Sequence, residues 1–262
     1  MKPPIIIVGI GELGGEFARG FLRCGYPVYP ITRKMNMADM SLQIPSPALT
    51  LITVPEHELH STLNDIPKSW QDTIALLQNE LLPGDWQRHD LVSPTVAVIW
   101  FEKKPEIILT NVLDTPVYGS NAHLLFEALD ALNVPNRLLK NSDDLLYELV
   151  RKSLYIQVVN ICGLLSNCTV GELWYKHQSL AEEVAGEIID IQEWMIGAKL
   201  SKGKLIAGMV EGIEDCPDRF CLGRSAASRL KRALAFAQEA EIETPKLREI
   251  SHYIHQEEIK GK

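Results

Sequence analysis

Close to the amino terminus, three glycines fall in Gly9-Ile10-Gly11-Glu12-Leu13-Gly14, directly after the apolar run Ile5-Ile6-Ile7-Val8 and at the start of a helical pattern over Glu12 to Arg23. A G-x-G-x-x-G placed between a buried strand and a helix suits a dinucleotide. The first glycine permits the tight turn, the second lets a pyrophosphate reach the backbone, and the third packs helix against strand. The amides that open the helix have no intrahelical acceptors and bind the phosphates. Gly9, Ile10, Gly11, Glu12, Leu13 and Gly14 are therefore the candidate cofactor-binding residues. Without its context the motif is weak, because ordinary turns also gather glycines.

A second cluster selects among dinucleotides. The second strand candidate ends Ile31-Thr32-Arg33-Lys34, where a NAD-binding chain usually carries an acid for the ribose 2′-hydroxyl, and no acid stands there. Arg33 offers a planar guanidinium for a 2′-phosphate and Lys34 a further charge, which favours NADP(H) over NAD. The alternative is a pair of solvated loop charges, common just beyond strand ends.

These residues need a scaffold, and the first half supplies the alternation of β-branched runs and helical patterns typical of a parallel sheet with crossover helices. Strands are predicted over Ile5–Val8, Val28–Thr32, Leu49–Val54, Ile74–Gln78, Thr95–Phe101 and Glu106–Leu109, with a helix over Ala122–Leu132. The segment Lys34–Pro47 leaves little room for a complete helix, which predicts a trimmed sheet. From about Asp143 helical periodicity takes over, with a capped start at Ser142-Asp143 and an apolar stripe Leu145, Leu146, Leu149, Ile156, Val159, Cys162. Further helices are predicted over Ser179–Ala198, Lys204–Ile213, Ser225–Ala240 and Pro245–Glu257. The expected architecture is α/β: a Rossmann-type, doubly wound, mostly parallel sheet over residues 1–140 and an all-helical substrate domain over 141–262.

Composition narrows the function classes. With 262 residues, 46% of them apolar, and a net charge of -8, the chain is an ordinary globular protein that repels nucleic acid overall. Five scattered cysteines point to a reducing, cytoplasmic compartment and no disulfide framework. Neither Cys216/Cys221 nor His57/His60 is accompanied by a second pair at ligand spacing, so no metal site is expected. The leading apolar run is too short for a membrane span and reads as a strand. The seven histidines lie near no nucleophile motif, and Trp174 and Trp194 read as packing residues.

The second half carries the more specific pattern. Arg151-Lys152-Ser153-Leu154-Tyr155-Ile156-Gln157-Val158-Val159-Asn160, continuing to Gly171-Glu172-Leu173, resembles the start of the C-terminal domain of the ketopantoate reductases (2-dehydropantoate 2-reductases). Leu77-Gln78-Asn79 resembles that family's Q-N-G after the fourth strand, and Ala237 to Pro245 its closing helix and turn. The resemblance implies a helical domain of the 6-phosphogluconate dehydrogenase C-terminal type, NADPH as hydride donor and a 2-keto acid as substrate. It also implies that Asn79 touches cofactor, that Lys152 is the general acid and that Asn160 faces substrate.

Elementary chemistry agrees with the lysine: a hydride acceptor develops negative charge on oxygen, which an ammonium stabilises and protonates. Lys152 and Asn160 lie about 80° apart on a helix, close enough to border one groove. Asn160 amid Val158, Val159 and Ile161 is costly to bury without a partner. The plainer reading of Lys152 is a surface charge paired with Glu148, four residues earlier.

Three residues depart from the family pattern: Ile156 replaces its first asparagine, Pro55 the lysine after the third strand that helps hold the cofactor phosphate, and Ala227 its late glutamate within Gly223-Arg224-Ser225-Ala226-Ala227. The leading expectation is an NADPH-dependent reductase of a 2-keto acid or related small-molecule carbonyl, with altered substrate recognition and a homodimer admitted. One alternative is a non-catalytic NADP-binding sensor or partner protein of the same fold. Another is pyrroline-carboxylate or prephenate-type chemistry, which shares Thr53-Val54-Pro55 but lacks support in the second half.

Overall fold

A computed structural model describes residues 2–103 and 109–260 and turns the β-branched runs into one seven-stranded sheet. The strands of the first half are β1 (Ile5–Val8), β2 (Val28–Ile31), β3 (Leu49–Ile52), β4 (Ile74–Leu76), β5 (Thr95–Ala97), β6 (Phe101–Glu102), β7 (Thr110–Asn111), β8 (Thr115–Tyr118) and β9 (Asn136–Leu138). Their order in the main sheet is β2-β1-β3-β4-β5-β8-β9, every pairing parallel except β5 with β8. All four residues of β1 and of β3 are buried, as strands covered on both faces must be. Val8 pairs with Ile31 of β2 and with Ile52 of β3, so three strands end level and their loops emerge side by side. That reversal of strand order at β1 is where open α/β sheets bind ligands.

Helix α1 (Glu12–Arg23) presents Leu13, Phe17, Gly20 and Phe21 to one sheet face. It shares that face with a later helix over Ala122–Asp130, and a Cβ on Gly20 would lie 2.6 Å from the Ala128 carbonyl, so only glycine permits this approach. Between β2 and β3 a seven-residue helix, α2 (Met37–Gln43), does form, although little room for a complete one was expected. The Asn36 side chain caps it by accepting from the Ala38 amide at 2.8 Å, and none of its residues is buried. Such a helix needs no apolar stripe, so periodicity gives no sign of it. Helices α3 (Glu56–Asn64) and α4 (Pro83–Gln87) and a 3-10 turn over Lys68–Thr73 follow β3 and flank β4, and the Ala122–Asp130 helix is α5.

The predicted strand Thr95–Phe101 is split. β5 ends at Ala97, and Phe101–Glu102 starts a separate antiparallel ribbon with Thr110–Asn111. The predicted strand Glu106–Leu109 lies, apart from Leu109, outside the described residues.

The second half is helical: α6 (Ser142–Cys162), α7 (Val170–Lys176), α8 (Gln178–Ile196), α9 (Lys202–Asp215), α10 (Ala226–Glu239) and α11 (Pro245–Lys260). Two compact units are delimited as Met1–Leu149 and Val150–Lys262, the division falling inside α6. A reciprocal cap opens α7, where the Thr169 hydroxyl accepts from the Glu172 amide and the Glu172 carboxylate from the Thr169 amide, at 3.2 and 3.1 Å. Among the described residues no helix is long and apolar enough to cross a membrane, and no cluster of metal-ligating side chains forms. All five cysteines are free thiols, and burial pushes Cys162 up to about 12 and Cys221 higher still, which removes both as nucleophiles near neutral pH.

Candidate functional site

In the sheet unit, the glycine loop leaves β1 at the level end of the three central strands. Gly9 adopts φ +89°, a conformation that glycine alone takes readily, and a Cβ there would press on Val54 Cγ1 at 3.1 Å. Gly14 packs so tightly against the loop that a Cβ would lie 2.7 Å from Thr53 Oγ1 and still closer to the Gly9 carbonyl. Gly11 is the opposite case, with nothing within 4 Å of where its Cβ would stand. The three glycines thus divide into one turn, one open approach and one close contact.

The N-cap of α1 is Gly11, which has no side chain to accept from the first-turn amides. Thr53 holds the loop, its hydroxyl donating to the Val8 carbonyl at 3.1 Å and to the Gly9 carbonyl, while the Gly9 amide donates to Ile31 at 2.9 Å. Ile10 is exposed, Glu12 begins the helix and Leu13 packs into the core. The arrangement fits a dinucleotide pyrophosphate: an uncapped helix start, a cradle open at Gly11, and neighbours fixed by hydrogen bonds.

Gln78, on the motif shared with Asn79, is buried and donates to the Ile52 and Val54 carbonyls at 3.1 and 3.2 Å, tying the ends of β3 and β4. Asn79 follows on the loop, and its amide donates to Glu56 Oε1 at 3.3 Å.

Arg33 and Lys34 are both exposed beyond β2. Arg33 does not stand alone: its Nη2 lies 2.5 Å from Oε1 of Glu58, on the first turn of α3. The acid missing from the end of β2 in sequence is thus brought there through space, and nothing local to either residue announces it. Two histidines that read as unrelated are also joined. His60 Nδ1 and His89 Nε2 are 3.0 Å apart, with Asp85 beside the first and Asn64 beside the second.

In the helical unit, Lys152 is buried on α6, its Nζ 5.6 Å from the centre of the Tyr155 ring. Glu148, its expected alternative partner, falls within the sheet unit, where it accepts from Arg137 at 2.6 Å. Asn160 is also buried, and its amide is committed within the unit: Nδ2 donates to the Cys221 carbonyl at 3.1 Å, and Oδ1 accepts from Arg229 at 2.8 Å. The cost of burying that amide is met by α10 and the segment before it. A Cβ on Gly223 would run into Asn160, so the chain passes this close only as glycine. Asn160→Ala is expected to lower stability by about 1–3 kcal/mol, since it strips a buried guanidinium and a carbonyl of a partner. Urea unfolding measures this, and an unchanged midpoint would remove Asn160 from its structural role.

The sequence matches no protein-family model and no curated protein. Solved structures do match along the whole chain. A ketopantoate reductase from Ralstonia eutropha JMP134 superposes with a TM-score of 0.67 at 14% identity, covering 98% of this chain and 99% of that one. The fold is that of the ketopantoate reductases. A dimeric ketopantoate reductase from Staphylococcus aureus gives 0.64 at 16% identity over 97% and 98% of the two chains. D-mandelate dehydrogenase with NADH and anilino(oxo)acetate gives 0.67 at 15% identity, covering 98% of each.

The departures from the ketopantoate reductase pattern now have places. Ile156 is buried on α6, one turn beyond Lys152. Ala227 is exposed in the first turn of α10, beside exposed Arg224. Pro55 stands at the start of α3, where its fixed φ of -59° suits a helix entry.

Proposed function

We propose that the protein is an NADP(H)-dependent reductase of a 2-keto acid or a related small-molecule carbonyl. The observation that carries the reading is the glycine loop at the end of β1, open at Gly11 and closed at Gly14 as a pyrophosphate requires. The fold shared with ketopantoate reductases and with a dehydrogenase that holds NADH beside an oxoacetate supports the substrate class. The dimeric neighbour supports a homodimer as the working assembly.

In this reading Gly9, Ile10, Gly11, Glu12, Leu13 and Gly14 hold the pyrophosphate through backbone amides and shape, Arg33 and Lys34 take the 2′-phosphate, and Asn79 lines the cofactor path. A bound nicotinamide supplies the hydride. Lys152 donates the proton to the carbonyl oxygen as charge develops there, and its buried setting strengthens that interaction relative to water. Asn160 keeps the α6 face rigid through Arg229 and Cys221.

The test combines calorimetric titration with NADPH and NADH and a panel of 2-keto acids followed at the nicotinamide absorbance. NADPH is expected to bind at least about tenfold more tightly, which needs only about 1.4 kcal/mol, and Arg33→Ala is expected to erase the difference. Ketopantoate is expected to be a poor member of the panel, because Ile156 and Ala227 stand where two polar contacts would be, each worth about 1–3 kcal/mol. Equal affinities in the wild type would overturn the NADP(H) assignment. The second reading, a non-catalytic NADP-binding sensor, draws on the commitment of the Asn160 amide within the helical unit. A protein that binds NADPH and reduces nothing on the panel favours it.

A further inference from the structure

The loops after β2 and β3 flank the glycine loop, because β1 lies between those two strands and all three end level. Arg33 follows β2, and Glu58 sits on the helix that follows β3. Their ion pair, at 2.5 Å, therefore reaches across the end of β1, beside the mouth where the adenosine half of a dinucleotide enters such a fold. Arg33 is 82% exposed and Glu58 28%, so the arginine is the more accessible partner to an incoming ligand. His57 also faces the carboxylate, with Nε2 3.6 Å from the same Oε1.

We infer that Glu58 is a cofactor-specificity residue that restrains the preference for NADPH over NADH by competing with the 2′-phosphate for Arg33. The inference rests on the dinucleotide reading above. A 2′-phosphate must take the guanidinium from Glu58 and then lie near that residual negative charge. A ribose 2′-hydroxyl carries no charge, leaves the ion pair intact and can donate to the same carboxylate, the role an acid at the end of β2 plays in NAD-binding chains. An exposed ion pair of this kind is weak, so a 2′-phosphate can open it, and Glu58 biases the choice without blocking it.

The experiment is calorimetric titration of NADPH and of NADH into the full chain as wild type, Glu58→Gln, Arg33→Ala and the double variant. Glutamine keeps the shape and removes the charge. Glu58→Gln is expected to tighten NADPH about tenfold and to leave NADH unchanged or weaker, so the affinity ratio rises by about tenfold, a change of 1.4 kcal/mol. In the Arg33→Ala background the same substitution is expected to shift the ratio by less than about threefold, because the competition is gone. A ratio unchanged by Glu58→Gln in a protein that binds both dinucleotides overturns this inference and leaves the dinucleotide reading standing. Failure of the wild type to bind either dinucleotide overturns both. An equal rise with and without Arg33 shows simple repulsion of the phosphate and overturns the competition.

Discussion

Gly11→Val is expected to abolish binding of both NADPH and NADH, weakening each by more than about 100-fold, while the melting temperature stays within about two degrees of the wild type. The two halves of that result have one cause. Gly11 has φ -77° and ψ -161°, extended backbone open to any residue, and no atom lies within 4 Å of the site of its Cβ. The first added carbon therefore meets no neighbour within 4 Å, and an isopropyl group there projects into the space the pyrophosphate approaches through. Gly14→Ala is the control with the reverse signature. Its added carbon runs into the Gly9 carbonyl and comes within 2.7 Å of Thr53 Oγ1, so that variant loses stability first and binding with it. Thermal melts paired with calorimetry separate the two. A Gly11→Val protein that binds NADPH like the wild type would show that the loop is a turn and nothing more.

That contrast also marks how far sequence reasoning reaches in this chain. The strands β1, β3 and β4 are legible because strands buried on both faces are largely apolar, and a glycine triplet straight after such a run has few other uses. β8 is not legible: Pro116 cannot donate to a ladder and argues against a strand. Its neighbour β5 nonetheless pairs Val96 and Ala97 with Tyr118 and Val117, both beyond the proline. α3 carries few apolar residues and only Leu59 and Leu63 are buried, which is too sparse a stripe to read.

Tertiary partners are harder still. The burial cost of Asn160 could be foreseen from its apolar neighbours, but its partner Arg229 lies 69 residues away on α10, and no local pattern joins the two. Glu58 and Arg33 are each unremarkable in their own segments. They meet only because β2 and β3 flank the same strand, a fact of topology that no local window contains.

Lys152→Ala is expected to lower turnover on any carbonyl the panel reveals by a factor of about 10² to 10⁴, with little change in NADPH affinity. The argument begins with burial. Lys152 is 5% exposed on α6, and a buried ammonium is costly unless its charge is paired or used. Lys152 is not the exposed charge that helix spacing suggests, and Glu148, four residues earlier, accepts from Arg137 at 2.6 Å. Reduction of a carbonyl by hydride leaves an alkoxide that must acquire a proton, and an ammonium poised at that oxygen both lowers the barrier and completes the step. Removing it should leave binding of the dinucleotide, which depends on the separate glycine loop, nearly untouched.

Lys152→Arg sharpens the test. The charge remains, but a guanidinium does not release a proton near neutral pH, so a substantial loss of turnover is expected there as well. Turnover near normal in Lys152→Arg alone would assign the lysine to charge stabilisation without proton transfer. Turnover near normal in both variants would return it to a packing role on α6.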